Sequence, residues 1–344
     1  MLPDRRLACL LAQYNAGSRQ PMGYSKLLGA EYALRMSRQE AGIEVPVNPE
    51  DFEAQSTALH GPFQSFNFEA FLGTGSPIWR DAFVQTALKP FHADRPRSAE
   101  GAWLHPGGKW VGGHAILMDS FQEEASKAIK LAWLLNEGRA SAPMSALDLE
   151  MAALEQFEIH REILRCPTTG LWHNGRDWLP GELSPGYWSR GHGWLLRGLT
   201  ESLFYAREPV VIARLTCILL EVAEALLAVQ RPDGLWRAIL HLSDVESPPE
   251  TSGSAMIAAG LLRGITLGVL VDESIEERAL HCARTLMETC FSNEGTVLGA
   301  CRGPGPLISL EEYLCPCDFP PNEPHGVSAL LMLLNELAHH SARA

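Results

Sequence analysis

The sequence predicts an all-α protein built as a closed ring of helical hairpins. Apolar residues recur at helical spacing through most of the chain, and no segment shows the convincing alternation of a strand. Short and long connections alternate between the helices. Because 46% of the 344 residues are apolar, the chain can fill one large core, and we expect a single domain over residues 1–344.

The predicted helices are defined by stripes of apolar residues. They cover residues 119–135, 146–164, 190–205, 210–229, 252–267, 274–291 and 325–340. Two of them begin with the spacing of a capping box, Asp119 with Gln122 and Ser274 with Glu277. The helix at 252–267 is rich in glycine and alanine, which permits close packing and indicates an inner position in the ring.

The connections predict where function is located. Short links at 207–209 and 268–272 alternate with long links at 166–189, 231–251 and 292–324. In a series of antiparallel helices this alternation brings every long link to the same end. Hairpins of roughly 55–65 residues fit about six times into the chain. The long links are rich in Gly, Pro, Trp or His, so we expect the functional residues at this end.

Composition excludes several classes of partner. The net charge of −13 argues against nucleic acids and anionic membranes, which need a basic surface. No signal peptide or membrane-spanning run is visible, and the eight cysteines, including the isolated pair Cys315 and Cys317, predict free thiols in a reducing cytoplasm. Metal-ligand spacings and phosphate or dinucleotide loops are absent, so we predict neither a metal nor a cofactor.

The densest candidate for chemistry is residues 187–194, which read Tyr-Trp-Ser-Arg-Gly-His-Gly-Trp. Arg190 at a helix start suits a carboxylate, because a guanidinium and free backbone N–H groups both attract anions. Trp188 and Trp194 could stack on a sugar ring. The alternative is an aromatic loop that packs on the core.

Three further positions stand out in the long links and helix starts. Asp119 follows a Gly- and His-rich stretch, but a simple helix cap is the alternative. To donate a proton, its pKa would have to be raised by burial against the lowering effect of the helix N-terminus. His173 can bond a sugar hydroxyl or tune the acid, or it can be a solvated loop residue. Trp236, after the turn pair Asp233-Gly234, could line the mouth.

Together these motifs resemble glycoside hydrolase family 105, the unsaturated rhamnogalacturonyl hydrolases, and the related family 88 of unsaturated glucuronyl hydrolases. The resemblance is carried by Trp-Ser-Arg-Gly-His-Gly-Trp at 188–194, in which His192 takes the place of an Asn. It is carried also by Gln-Arg-Pro-Asp-Gly-Leu-Trp at 230–236, by Glu-Thr-Ser-Gly-Ser-Ala-Met at 250–256 and by the helix at 323–336.

The resemblance implies an (α/α)6 barrel and a hydration reaction that needs no cofactor. The substrate would be an unsaturated uronic acid at the end of a lyase-generated pectin oligosaccharide. One carboxylic acid, matched by Asp119, would protonate the double bond and then activate water. His173, Trp188, Arg190, His192 and Trp194 would bind the substrate, and Trp236 would lie at the mouth.

One stretch departs from the family pattern, and other functions remain open. A second active-site Asp is replaced within residues 64–69, where Asn67 or Glu69 can take its place. The alternatives are a uronyl hydrolase for another uronide, a sugar epimerase or inverting glycosidase on the same ring, and a binding protein without catalysis. An inverting glycosidase would need a second group such as Glu182, Asp177 or His114.

Overall fold

The computed structural model of this chain is helical throughout its core. It describes residues 29, 31–32, 34–35, 65–105, 115–176, 182–292, 295–303, 309–314 and 319–341. The helices are α1 Phe66–Thr74, α2 Pro77–Leu88, α3 Met118–Asn136, α4 Ala146–Leu164, α5 Ser189–Tyr205, α6 Pro209–Ala228, α7 Thr251–Thr266, α8 Glu273–Thr289, α9 Leu310–Leu314 and α10 Pro324–Ser341. A 3-10 turn, Lys89–Phe91, follows α2, and residues 29–35 contribute a helical segment where they are described.

The helices form an inner layer, which is buried on almost every side, and an outer layer, which is buried on one side only. Helices α3, α5, α7 and α10 are buried over nearly all of their surface, and α5 packs between α3 and α7, while α7 packs also against α10. Helices α4, α6 and α8 bury one stripe only, and each packs against the inner helix that precedes it. The inner and outer helices are therefore those that the link lengths predict, and the short link between α5 and α6 spans only 206–208.

Local signals fix most of the helix starts. Pro77 and Pro209 occupy the first turns of α2 and α6, where the missing N–H carries no penalty. Ser145 caps α4 by accepting from the backbone N–H of Asp148. The predicted cap at Ser274 is wrong, because Asp272 is the N-cap of α8 and accepts from the Ser274 N–H.

Within the described residues, one short β-pair joins the long link before α3 to the long link before α5. Strand β1, Ile116–Leu117, pairs antiparallel with β2, Gly175–Arg176, with Leu117 opposite Gly175. Gly175 is required here, because a Cβ would lie 2.7 Å from Leu117 and 2.8 Å from the Ile116 carbonyl oxygen. Two-residue strands leave no alternation to detect, so the sequence predicted none. The pair ties the chain before α3 to the chain before α5.

Among the described helices, none combines the length and apolar character needed to cross a bilayer.

Candidate active site

The starts of the inner helices meet at one end of the ring. The first N–H of each of three inner helices donates to a carbonyl of the long link that leads into the next inner helix. These bonds run from Met118 to Asn174 (2.9 Å), from Ser189 to Ala238 (2.9 Å) and from Thr251 to Gly299 (2.8 Å). The repetition shows that the ring is built from equivalent hairpins. It also holds the long links against the helix starts, which favour anions.

Asp119 lies in the first turn of α3, facing this end. The cap interpretation is wrong, because the N-cap is Leu117, with no side-chain cap bond, and the Gln122 amide donates to the Asp119 carbonyl. The side chain is partly buried, and its Oδ1 is buried without a hydrogen-bond partner among the described residues. Burial raises the pKa of Asp119 from 3.8 to about 6, against the lowering effects of its own backbone N–H and of Arg190. Such a group can donate a proton near neutral pH.

Arg190 lies at the start of α5 and is wholly buried. Its Nη1 donates to Ser252 Oγ (2.8 Å) and to the Cys301 carbonyl (2.7 Å), and the guanidinium lies 4.4 Å from the Trp188 ring centroid. Glu250, the N-cap of α7, lies 3.9 Å from the guanidinium and accepts from Ser252 Oγ (2.7 Å). These contacts fix one edge of a planar cation close enough to Asp119 to lower its pKa.

The two predicted tryptophans of the 188–194 motif are placed differently. Trp188 is the N-cap of α5 and packs on Ile239, while its indole Nε1 is buried with no partner in the described part of the chain. Trp194 is 2% exposed and belongs to the main core, where the Arg197 guanidinium lies 5.7 Å from its ring. Trp188 therefore offers an unused donor beside Arg190, whereas Trp194 supports the helix from within.

His192 and Trp236 take part in a repeated loop structure. Gly170 and Gly234 both have positive φ, and each is followed by Leu and Trp. The backbone N–H of Trp172 donates to His192 Nε2 (2.9 Å), and the equivalent N–H of Trp236 donates to Ser254 Oγ (2.9 Å). The His192 Nδ1–H donates in turn to the Trp188 carbonyl (2.8 Å).

The ring nitrogens of His192 and Trp236 are all bonded within the protein. Burial lowers the pKa of His192 to about 4, so the ring is neutral at pH 7 and both of its nitrogens are bonded to backbone. Trp236 is 0% exposed, and its indole N–H donates to the Leu226 carbonyl. The geometry assigns both a part in holding the loops. The repeated Gly-Leu-Trp is the sequence signal that indicates this.

His173 and Asn174 point to opposite sides of the chain. His173 is partly buried, and its Nδ1 lies 2.6 Å from the Ser184 carbonyl, on the side of Tyr187. Asn174 is 1% exposed and lies against Gly191, where a Cβ would be 2.9 Å from its Oδ1. That Oδ1 has no hydrogen-bond partner in the described ranges, and the Asn174 carbonyl accepts from the N–H of Met118, the residue before Asp119. Asn174 is a candidate site residue that the sequence interpretation missed.

The structure also places Asn67 and Glu69 in different surroundings. Glu69 is buried and accepts from Arg35 (2.8 Å), so its carboxylate is held in an ion pair. Asn67 is wholly buried, and within the part of the chain that the structure describes neither atom of its amide has a hydrogen-bond partner. Ser65, at the start of the same helix, donates to Glu123, which lies one turn beyond Asp119 on α3. Of the two candidates for the missing Asp, Asn67 has the unused polar atoms.

The groups that an inverting glycosidase would need gain no support. Glu182 is exposed, while Asp177 and His114 lie outside the described residues. Within the part of the chain that the structure describes, no group of three His, Cys, Asp or Glu side chains could hold a metal ion. Cys315 and Cys317 are not among the described residues.

Comparison with known proteins identifies the family. The model of Glycosyl Hydrolase Family 88 matches residues 139–340, which is more than half of the chain. Two curated relatives are each named unsaturated 3S-rhamnoglycuronyl hydrolase. The one from Formosa agariphila is 32% identical over 135 residues, and the one from an Alteromonas species is 32% identical over 99 residues. The match covers 37% and 26% of this chain, and only 35% and 22% of those two proteins.

Solved structures extend the likeness of fold to almost the whole chain. A family 105 glycoside hydrolase from C. acetobutylicum superposes with a TM-score of 0.77 at 21% identity, covering 96% of this chain and 98% of that one. An unsaturated glucuronyl hydrolase specific for heparin superposes with a TM-score of 0.69 at 13% identity, covering 98% and 97%. The fold is therefore the (α/α)6 barrel of these structures. With the match over residues 139–340, the chain belongs to glycosyl hydrolase family 88.

Proposed function

We propose that this protein releases the Δ4,5-unsaturated uronic acid from the end of lyase-generated pectin oligosaccharides by hydrating the double bond. The observation that carries the proposal is Asp119, a carboxyl group with a pKa raised to about 6 by burial, beside a fixed guanidinium at the open end of the barrel. The names of the two curated relatives support the class of reaction. We place this reaction in the cytoplasm, on oligosaccharides that have been imported.

In the proposed mechanism one carboxyl group serves twice. Protonated Asp119 donates its proton to C4 of the double bond, and positive charge develops at C5 and the ring oxygen. The Asp119 carboxylate then takes a proton from water as the water oxygen bonds to C5. The resulting hemiketal opens, the glycosidic bond breaks, and the leaving sugar departs. A single acid-base group of this kind contributes about 10²–10⁴-fold to a rate.

The other residues of the site bind the anionic sugar. We assign the substrate carboxylate to the helix starts beside Arg190, with Trp188 as a further donor and ring surface. Asn67 and Asn174 have buried amide atoms that no described residue bonds, and sugar hydroxyls would satisfy them. His173 lies at the edge of this region, while His192, Trp194 and Trp236 act as positioning residues.

A second candidate is the same hydration on an unsaturated glucuronyl substrate. The match to family 88 favours it, as does the similarity to the glucuronyl hydrolase specific for heparin. Both candidates predict the same chemistry on the same unsaturated acid, because the double bond removes the configuration at C4, and they differ in the leaving sugar and its linkage. A binding protein without catalysis would need neither the raised pKa of Asp119 nor its exposure to the mouth.

The test follows the ultraviolet absorbance of the double bond over time. An unsaturated galacturonyl-rhamnose disaccharide and an unsaturated glucuronyl disaccharide are each mixed with wild type, Asp119→Asn and, as a control, Glu182→Gln, which alters an exposed carboxylate. We expect absorbance loss with wild type and Glu182→Gln, and at least about a 100-fold slower loss with Asp119→Asn. Full activity of Asp119→Asn would overturn the assignment, and binding without absorbance loss would identify a binding protein.

A further inference from the structure

Three partly exposed rings lie together beside the proposed uronate site. Tyr187 lies between two imidazoles, with its ring centroid 4.8 Å from His173 and 4.9 Å from His241. His241 is exposed, while Tyr187 and His173 are partly buried. We call these three residues the aromatic cluster. Neither the fold nor the proposed chemistry requires two imidazoles and a phenol at this place.

Backbone hydrogen bonds hold the cluster in place. The Leu240 N–H donates to the Tyr187 carbonyl (2.9 Å), which fixes the neighbouring His241 against Tyr187. The Tyr187 hydroxyl is engaged with Cys166 and Thr169, so the phenol is anchored at its far end. His173 is anchored by the Ser184 carbonyl at 2.6 Å. Because a carbonyl only accepts, Nδ1 must carry the hydrogen, and Nε2 is left as the acceptor of the ring.

The cluster is continuous with the residues that we assign to the uronate. Tyr187 directly precedes Trp188, and His173 directly precedes Asn174 but faces the other side of the chain. The long links before α5 and α7 supply all three rings, and these links meet at the mouth of the barrel. A sugar joined to a uronic acid held by Trp188 and Arg190 would reach the cluster next.

The charges around the cluster favour an uncharged ring. Burial lowers the pKa of His173, and burial followed by the effect of His173 lowers the pKa of His241, so both imidazoles are neutral at pH 7. Glu246 lies close enough to raise the pKa of His241 slightly, and its own carboxylate is kept ionised by Ser243. Among the described residues, Glu246 is the charged group that acts on His241, so a sulfated or carboxylated sugar would meet negative charge here.

We propose that the aromatic cluster is the subsite for the leaving sugar, and that it selects a neutral pyranose. The tyrosine and imidazole rings supply apolar surface, and His173 Nε2 supplies an acceptor for a hydroxyl, which is the usual composition of a sugar site. This inference rests on the proposed function, because it names the second half of the same substrate.

The test separates the leaving sugar from the uronic acid. Two substrates are compared, an unsaturated uronyl disaccharide with a neutral leaving sugar and the methyl glycoside of the same unsaturated acid, which is too short to reach the cluster. His241→Ala should lower kcat/KM for the disaccharide about 3- to 10-fold through KM, and change the methyl glycoside less than about 2-fold. Val245→Ala, on the same loop at a 97% exposed position, is the matched control and should change neither.

A second measurement does not depend on turnover. Saturation-transfer NMR with methyl α-rhamnopyranoside should give a signal with wild type that is lost in His241→Ala and kept in Val245→Ala. If wild type hydrates neither substrate yet this signal depends on His241, the proposed reaction fails while the sugar subsite stands. Equal losses on both substrates, no loss on either, faster turnover of a sulfated leaving sugar, or no NMR signal with wild type would overturn the subsite.

Discussion

At the scale of single residues, Asp119 shows how one carboxyl group acquires an acid's pKa at a helix start. The helix N-terminus and Arg190 both favour the ionised form, yet desolvation is the larger effect. The Oδ1 atom that lacks a partner is the direct sign of that desolvation. With a pKa of about 6, part of the Asp119 population is protonated near neutral pH. In the proposed reaction the carboxylate is reprotonated in each cycle by the water that it activates.

The pH dependence of the reaction follows from this pKa. Asp119 must be protonated at the first step, so kcat/KM should be level below about pH 6 and fall about tenfold per pH unit above it. Initial rates between pH 4.5 and 8.5 measure this. A profile that rises through pH 6 would mean that the ionised form starts the reaction.

Stability provides an independent check on the same group. Its folded pKa of about 6 exceeds its ordinary value of 3.8, so stability is lost as pH rises through this window. Above pH 6 the ionised carboxylate should cost about 2–3 kcal/mol. Asp119→Asn should therefore be more stable than wild type at pH 8 by roughly this amount and little different at pH 4, measured by urea unfolding.

Asn67 gives a third prediction at this scale. A buried amide with no partner destabilises the free protein by about 1–3 kcal/mol, so Asn67→Leu, which keeps the volume, should leave the free energy of unfolding unchanged or raise it. If the amide binds a sugar hydroxyl, KM should rise at the same time. Thermal unfolding and steady-state kinetics measure the two effects, and a stabilised variant with unchanged KM would contradict the role in binding.

At the scale of helices, small residues set how closely the inner helices approach. A Cβ on Gly193 would overlap the Cβ of Met256, which lies on α7. Gly260 has the same relation to Leu196 on α5, at 2.6 Å. The two glycines face each other's helices, so α5 and α7 pack backbone to backbone, and the Arg190 side chain can reach Ser252 and Cys301.

Gly193→Ala should therefore affect both stability and binding. Separating α5 from α7 should lower the free energy of unfolding by about 1–3 kcal/mol, and it should raise KM because it displaces Arg190. The control is Gly268→Ala on a short link, where φ is +72° and nothing lies within 4 Å. That change should cost about 1 kcal/mol of backbone strain and leave KM unchanged. Equal effects of both variants on KM would contradict the coupling.

At the scale of the whole molecule, the axis of the barrel is ionic. Arg197 on α5 pairs with Glu31 and with Glu123 on α3, while Glu201 pairs with Arg35 (2.6 Å) and Lys130 (2.8 Å). All of these side chains are buried. Buried pairs contribute little net stability but fix the helices relative to one another, because each charge requires its partner.

Breaking this network should be costly in a pH-dependent way. Glu201→Gln should destabilise the protein by about 3–5 kcal/mol, whereas Glu158→Gln in the exposed pair with Arg214 should cost less than about 1 kcal/mol. Arg35 and Lys130 outweigh burial and hold the pKa of Glu201 well below its usual range, so its stabilising effect is present at neutral pH and lost in acid. Chemical denaturation at pH 7 and at a series of pH values below 4.5 should show the difference between the two variants shrinking as the pH falls towards the lowered pKa of Glu201.

The sequence predicted α3 to α8 and α10 in their order, because each outer helix carries an apolar stripe and each inner helix is apolar over most of its surface. It missed α1, α2 and the short α9. It could not separate His173 from Asn174, since adjacent residues in an extended link face opposite sides and the direction is set by the β-pair. Nor could it separate His192 from a ligand, because a buried polar ring can serve backbone or substrate equally. The single domain over residues 1–344 and the roles of the site residues stay predictions.

The ring of helix starts also governs how an anionic substrate arrives. The chain carries a net charge of −13, so an oligouronide is repelled at long range, while the partial positive charges of the helix starts, about half a unit each, act only near the mouth. Salt shortens the range of the repulsion to about 10 Å at 0.1 M. The association rate of the uronide should therefore rise as salt is first added and then level off, the reverse of an enzyme that steers its substrate from a distance.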